Sequence, residues 1–189
     1  MPTKSAPAVH SVHFYDGEQA LISRLRGVVA SGLEMGNSVL IVATDEHRRE
    51  LIRALEKRGV DVASYQRKGL FVVCDAEETL ASFMVKDRPD RVRFLASVGA
   101  LLAESKRAAR SSGQGLTVFG EMVAVLWAEG NKVGALELEA FWNDLLNDRA
   151  FHLHCAYPRS GFAANDKEGL AAICGAHSHV IGEAAARPH

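Results

Sequence analysis

The chain has 189 residues, 48% of them hydrophobic and 24% charged, which fits one folded domain and excludes bulk disorder. Its 22 Lys and Arg against 23 Asp and Glu leave a formal charge of -1, which disfavours direct nucleic-acid binding, and no apolar run approaches the ~20 residues of a membrane span. Cys74, Cys155 and Cys174 are too few and too scattered for a disulfide framework, and Met1 to Ala8 lack the apolar core of a signal peptide, so the expectation is a reduced, cytoplasmic protein.

Residues 1–8 and 183–189 read as disordered ends around a single domain at 9–182. Val12 to Tyr15 is a short apolar strand. Leu21, Ile22, Leu25, Val28, Val29 and Leu33 then recur at helical spacing until Gly36-Asn37. Val39 to Ala43 is an unbroken apolar run, the pattern of a strand buried on both faces. A helix capped by Thr44 or Asp45 carries Leu51, Ile52 and Leu55 and stops near Gly59. Leu70 to Cys74 is the next buried strand, followed by helices near 77–85 and 90–109 and a loop at Ala109 to Gly115. Leu116 to Phe119 is a strand. Helices at Met122 to Glu129 and Val133 to Asn147 are broken at Gly130-Asn131, Phe151 to Ala156 is a strand, Leu170 to Gly175 a short helix, and 178–181 a last strand. Alternating strands and helices with such apolar runs predict an α/β fold: a three-layer sandwich around a mainly parallel sheet.

Open parallel sheets bind ligands beyond the carboxyl ends of their strands. Those ends carry Tyr15-Asp16-Gly17-Glu18, Thr44-Asp45, Asp75 with Glu77, Gly120-Glu121-Met122, and Tyr157-Pro158-Arg159, an acidic and aromatic set with one arginine. The turn after the first strand has one glycine, no lysine and two carboxylates, so it cannot cradle phosphate as a P-loop does. No GxGxxG follows a strand, and no GxSxG elbow occurs.

Glu121 sits just past a buried strand, where a carboxylate can hold a ligand, act as a base, or simply favour a helix N-terminus. Trp127 and Trp142 read first as core residues, with Trp127 the better candidate for a ligand wall because its helix follows Glu121. In FHLHCAYP, His152 and His154 share one strand face while Phe151, Leu153 and Cys155 share the other, so the segment is not one cluster and Cys155 reads as a small buried hydrophobe. His10 and His13 face opposite sides of their strand. Cys174 and His177 lie on one side if their helix persists, which gives half of a zinc site that His152 or His154 could complete. That is a weak pattern, and no metal is assigned from it. A pocket of Tyr15, Glu121, Met122, Trp127 and Tyr157 suits a small, partly apolar or cationic ligand.

Five segments occur in order: His10-x-x-x-Phe14-Tyr15, FGEMVAVLWAEGN at 119–131, LELEAFWNDL at 136–145, HCAYP at 154–158 and ICGAHSHVI at 173–181. Together they resemble the MEDS family, the sensory domain of methanogens and methylotrophs typified by the regulator DcmR. The resemblance implies a degenerate RecA/KaiC-like domain without a P-loop, which senses small molecules such as hydrocarbon derivatives. It also implies joining to histidine kinases or transcription regulators, and marks His10, Tyr15, Glu121, Trp127, Cys155, Tyr157, Cys174 and His177. The expected function is a non-catalytic small-molecule-sensing regulatory module with an unidentified ligand or cofactor. With no room for an output domain, it would act through another chain. The alternatives are a metal-binding protein or hydrolase-type enzyme using Glu121 with Cys174 and His177, and a scaffold that self-associates as a homodimer through the apolar helices at 133–146.

Overall fold

A computed structural model describes residues 8–112, 115–148 and 151–182. The expected disordered ends therefore lie outside the described residues, apart from Ala8. In chain order the strands are β1 (Val9–Tyr15), β2 (Ser38–Ala43), β3 (Phe71–Asp75), β4 (Met84–Val85), β5 (Arg88–Pro89), β6 (Leu116–Gly120), β7 (His152–Pro158) and β8 (His179–Ile181). Two of them, β4 and β5, make a separate antiparallel hairpin, and the other six form a parallel sheet ordered β3-β2-β6-β7-β1-β8. Helices α1 (Glu18–Glu34), α2 (Asp45–Glu56) and α3 (Val62–Arg67) cover one face. The other face is covered by α4 (Ala76–Phe83), α5 (Arg91–Ser112), α6 (Met122–Ala128), α7 (Lys132–Asp148) and α8 (Lys167–Ala176). This is the expected three-layer α/β sandwich.

Strand β2 shows why the fold needs two covered faces. All six of its residues are buried. Leu40 and Val42 join the core under α4 to α8, while Val39, Ile41 and Ala43 join the core under α1 to α3. Alternation thus feeds both layers from one apolar run. The break between α6 and α7 falls at the expected dipeptide: Gly130 adopts φ 81° and its N–H returns to Trp127 O, and Asn131 Oδ1 then accepts from Gly134 N at 2.9 Å to start α7.

Several boundaries differ from expectation. The short α3 was not foreseen; Asp61 caps it by accepting from Ser64 N. The hairpin takes the last two residues of the helix expected near 77–85 and the connection to the next one, because α4 ends at Phe83 and the chain turns through Lys86 at φ 56°. The loop expected at Ala109 to Gly115 is largely helix, since α5 runs to Ser112 and Ala109 is buried; residues 113–114 lie outside the described set. The apolar side of α7 is not free for a second copy. Ala135, Leu138, Trp142, Leu145 and Leu146 all point into the core, so these residues of 133–146 face the sheet and not a partner. Among the described residues no helix is long and apolar enough to cross a membrane.

Candidate functional site

Alternation along β1 and β7 selects the first cluster. His10 faces the α7 side, as do Cys155 and Tyr157 two residues apart on β7, and the parallel register aligns Val12 with Cys155 and Phe14 with Tyr157. From α7, Glu139 enters this space fully buried, with Asn143 one turn further on. His177 arrives from the end of α8. His10 Nε2 lies 3.3 Å from Glu139 Oε2 and 3.5 Å from Cys155 Sγ. Tyr157 donates its hydroxyl to Glu139 Oε1 at 2.8 Å, and His177 Nε2 stands 3.5 Å from the same oxygen. The two imidazoles nearly touch, with ring centroids 4.0 Å apart.

The tautomers follow from the outer partners. Asn143 Nδ2 donates to Ala176 O, so its Oδ1 is the acceptor and His10 Nδ1 carries the hydrogen at 2.8 Å. His177 Nδ1 donates to Ile173 O at 2.7 Å. Each ring therefore turns its Nε2 inward, towards Glu139. Burial, reinforced by the Glu139 charge, pushes the Cys155 thiol and the Tyr157 phenol well above their ordinary pKa. Burial also lowers His177, against the pull of Glu139.

A second cluster closes the carboxyl ends of β1, β2 and β6. Glu121 precedes α6 and accepts from Thr44 N at 3.0 Å and from His47 Nδ1 at 2.6 Å. The other ring nitrogen of His47 donates to Glu18, so the imidazole bridges two carboxylates. Burial alone would lower His47, but the hydrogen bonds and charges of Glu121 and Glu18 outweigh it and raise the pKa to about 9. Tyr15 beside them is pushed up by burial, then by Glu121 and Glu18. The acidic mouth expected from sequence is thus internally paired: Asp16 holds Arg159 at 3.0 Å, and Asp75 holds Arg48 at 2.6 Å. His47 and Arg48, hidden in the charged run DEHRRE, supply cations that the strand-end inventory lacked.

The single pocket of Tyr15, Glu121, Met122, Trp127 and Tyr157 does not form. Tyr15 faces α1, whereas Met122, Trp127 and Tyr157 lie in the core of the opposite layer, because Tyr15 follows Phe14 and neighbouring strand residues alternate. Trp127 instead donates Nε1 to Gly161 O at 3.2 Å and packs with Phe162 and Tyr157 at centroid distances of 5.1 and 6.1 Å. Cys174 is half-buried against the core and stands outside the polar cluster. The reason is local: α8 ends at Ala176, and His177 is extended at φ -115°, ψ 145°, so the helical spacing from Cys174 fails. His152 and His154 cannot complete a site with His177 either. His154 lines a small cavity with Ser11, His13, Arg24 and Ile41 on the α1 side, and burial, then His152, Arg24 and His10, hold its pKa at about 4. The hydrolase-type grouping fails with them, since Glu121 bonds to His47 and Thr44 while His177 turns to Glu139.

Sequence reasoning misses Glu139, Asn143 and His47, and it names Glu18 only as a strand-end carboxylate without its His47 partner. The usable signal for the first pair was their i, i+4 spacing beside the buried stripe of Leu138, Trp142 and Leu145.

Fold and site together define an α/β domain whose strand-end carboxylates are paired with its own histidine and arginines and whose most concentrated chemistry is turned inward. A family model, MEDS (MEthanogen/methylotroph, DcmR Sensory domain), matches residues 9–178, and the chain belongs to that family of sensory domains. No curated protein matches it significantly.

Proposed function

We propose that the protein is a non-catalytic sensory module. It binds a small, largely apolar molecule with one polar group at the carboxyl ends of β1 and β7, and it signals through a partner chain. Its membership of a sensory-domain family supports the regulatory half of this reading. The observation that carries the ligand half is an aromatic shell of Phe14, Trp127, Tyr157 and Phe162 that ends on the buried Tyr157–Glu139 hydrogen bond. Rings supply apolar contact, and the Tyr157 hydroxyl supplies one oriented polar partner. Phe162 is only partly buried and follows the single turn at Arg159–Gly161, so its displacement gives a ligand a way in. Lys132 Nζ lies 4.9 Å from the Trp127 ring centroid at the outer edge of the shell.

The test is thermal denaturation of the full chain against a panel of short alcohols, amines and halides. A binder at about 100 times its Kd adds about 2.7 kcal/mol, a Tm rise of roughly 5–10 °C. Tyr157→Phe keeps the ring packing and is expected to weaken binding about tenfold or more, the worth of a buried polar contact. A panel without a single Tm rise, or a Tyr157→Phe variant that binds as well as wild type, overturns the reading.

A further inference from the structure

The polar cluster offers four donor atoms from His10, Glu139, Cys155 and His177, all within 4.8 Å of one another and all on buried residues. We infer that these residues form a four-coordinate site for one divalent transition metal of the zinc class. Bonds of about 2.0–2.3 Å to a tetrahedral zinc place its ligand atoms about 3.3–3.8 Å apart. The 3.3 Å between His10 Nε2 and Glu139 Oε2 and the 3.5 Å between His10 Nε2 and Cys155 Sγ match that spacing, Cys155 Sγ lies 3.9 Å from the same oxygen, and His177 Nε2 stands 3.5 Å from the other carboxylate oxygen, Oε1.

Independent of the spacing, His177 Nε2 is a buried nitrogen with no hydrogen-bond partner, on a side chain with 0% exposure, and it is aimed at the other three. Such an orphan needs an explanation, and a metal supplies one. The outer partners are those that a metal-bound imidazole requires. Both rings donate Nδ1–H outward, to Asn143 Oδ1 and Ile173 O, leaving both Nε2 lone pairs for an ion. Tyr157 fixes the carboxylate in turn. Charge also balances: a thiolate and a carboxylate against a dication sum to zero, so the loaded centre is cheaper to bury than a lone Glu139 carboxylate. A thiolate with two imidazoles selects zinc-like ions over magnesium or calcium. Four protein ligands leave no open position for water, so the centre holds structure or reports a state and does not hydrolyse. The assignment stands on these atoms and holds whether or not the aromatic shell admits a ligand.

The experiment uses the full chain, refolded from chelator and titrated with cobalt(II) and then zinc. One cobalt per chain is expected, with a thiolate-to-metal charge-transfer band in the near ultraviolet, intense visible d–d bands, displacement by zinc and a higher Tm. Cys155→Ser is expected to abolish the charge-transfer band, while Cys74→Ser and Cys174→Ser keep it. Asn143→Ala, which removes only a positioning contact, is expected to weaken affinity about 10–100-fold with unchanged circular dichroism. Substoichiometric cobalt in folded wild-type protein, or a band that survives Cys155→Ser, overturns the inference. X-ray absorption of the wild-type zinc form guards against a variant that does not fold: one sulfur and two imidazoles support the site, and no sulfur in the shell sinks it.

Discussion

Glu121→Ala is expected to destabilise the protein by about 3 kcal/mol, the cost of leaving a buried charge partner alone, and to lower Tm by roughly 6–12 °C. Two groups lose their acceptor at once, the Thr44 N–H and the His47 ring. The same variant changes the pH dependence. His47 titrates near 9 in the folded chain against an ordinary value of 6.5. Below pH 6.5 both folded and unfolded chains hold the proton, so its stabilising contribution is complete, and it is lost as pH rises from 6.5 through 9. His154 works in the opposite direction. Held near 4 when folded, it gives its full contribution above 6.5 and loses it as pH falls from 6.5 towards 4. Wild-type stability should therefore peak near pH 6.5, between the two titrations. Glu121→Gln should keep the Thr44 contact yet flatten the alkaline limb. Thermal melts from acid to alkaline pH read both limbs, and a wild-type profile with no decline between pH 6.5 and 9 refutes the His47 assignment.

Trp142→Ala should cost about 4 kcal/mol through the cavity it leaves. Trp142 is almost wholly buried, meets Phe94 edge-on at a centroid distance of 5.3 Å, and reaches within 4.0 Å of the space over Gly120 on β6. It thereby pins α7 to both α5 and the sheet. Glu139 and Asn143 ride on the same helix, so slack at Trp142 spreads to the polar cluster. Trp142→Phe should cost about half as much, because most of the ring contact survives. Chemical denaturation measures both, and a loss under about 1 kcal/mol for the alanine variant contradicts this packing role.

Much of the fold was legible because its signals are local. The run from Val39 to Ala43 announces a doubly covered strand, and Gly130-Asn131 supplies both the end of one helix and the start of the next. Alternation also separated Cys155 from His152 and His154 and set His10 against His13. The six-residue α3 and the two-residue strands of the hairpin are too short for periodicity to register. The site was harder to read. Glu139 stands in a helix whose charges at Lys132, Glu137 and Asp144 are exposed or half-buried, and its burial is decided by β1, β7 and α8, outside that helix. His47 likewise reads as one member of a solvated charge run until Glu18 and Glu121 close over it. The expectation for Cys174 and His177 failed on one backbone conformation at a helix end.

The sheet order joins the beginning of the domain to its end: β1 lies between β7 and β8, and His10 meets a cysteine 145 residues further on. No nascent fragment that stops before α8 can assemble the inward cluster, whatever else it has folded. Until then Glu139 faces a gap, and β1 has an unpaired edge where β8 belongs. Completion of this domain is therefore a late, long-range event, and the cluster acts as a clasp that closes only once the segment through His177 is present.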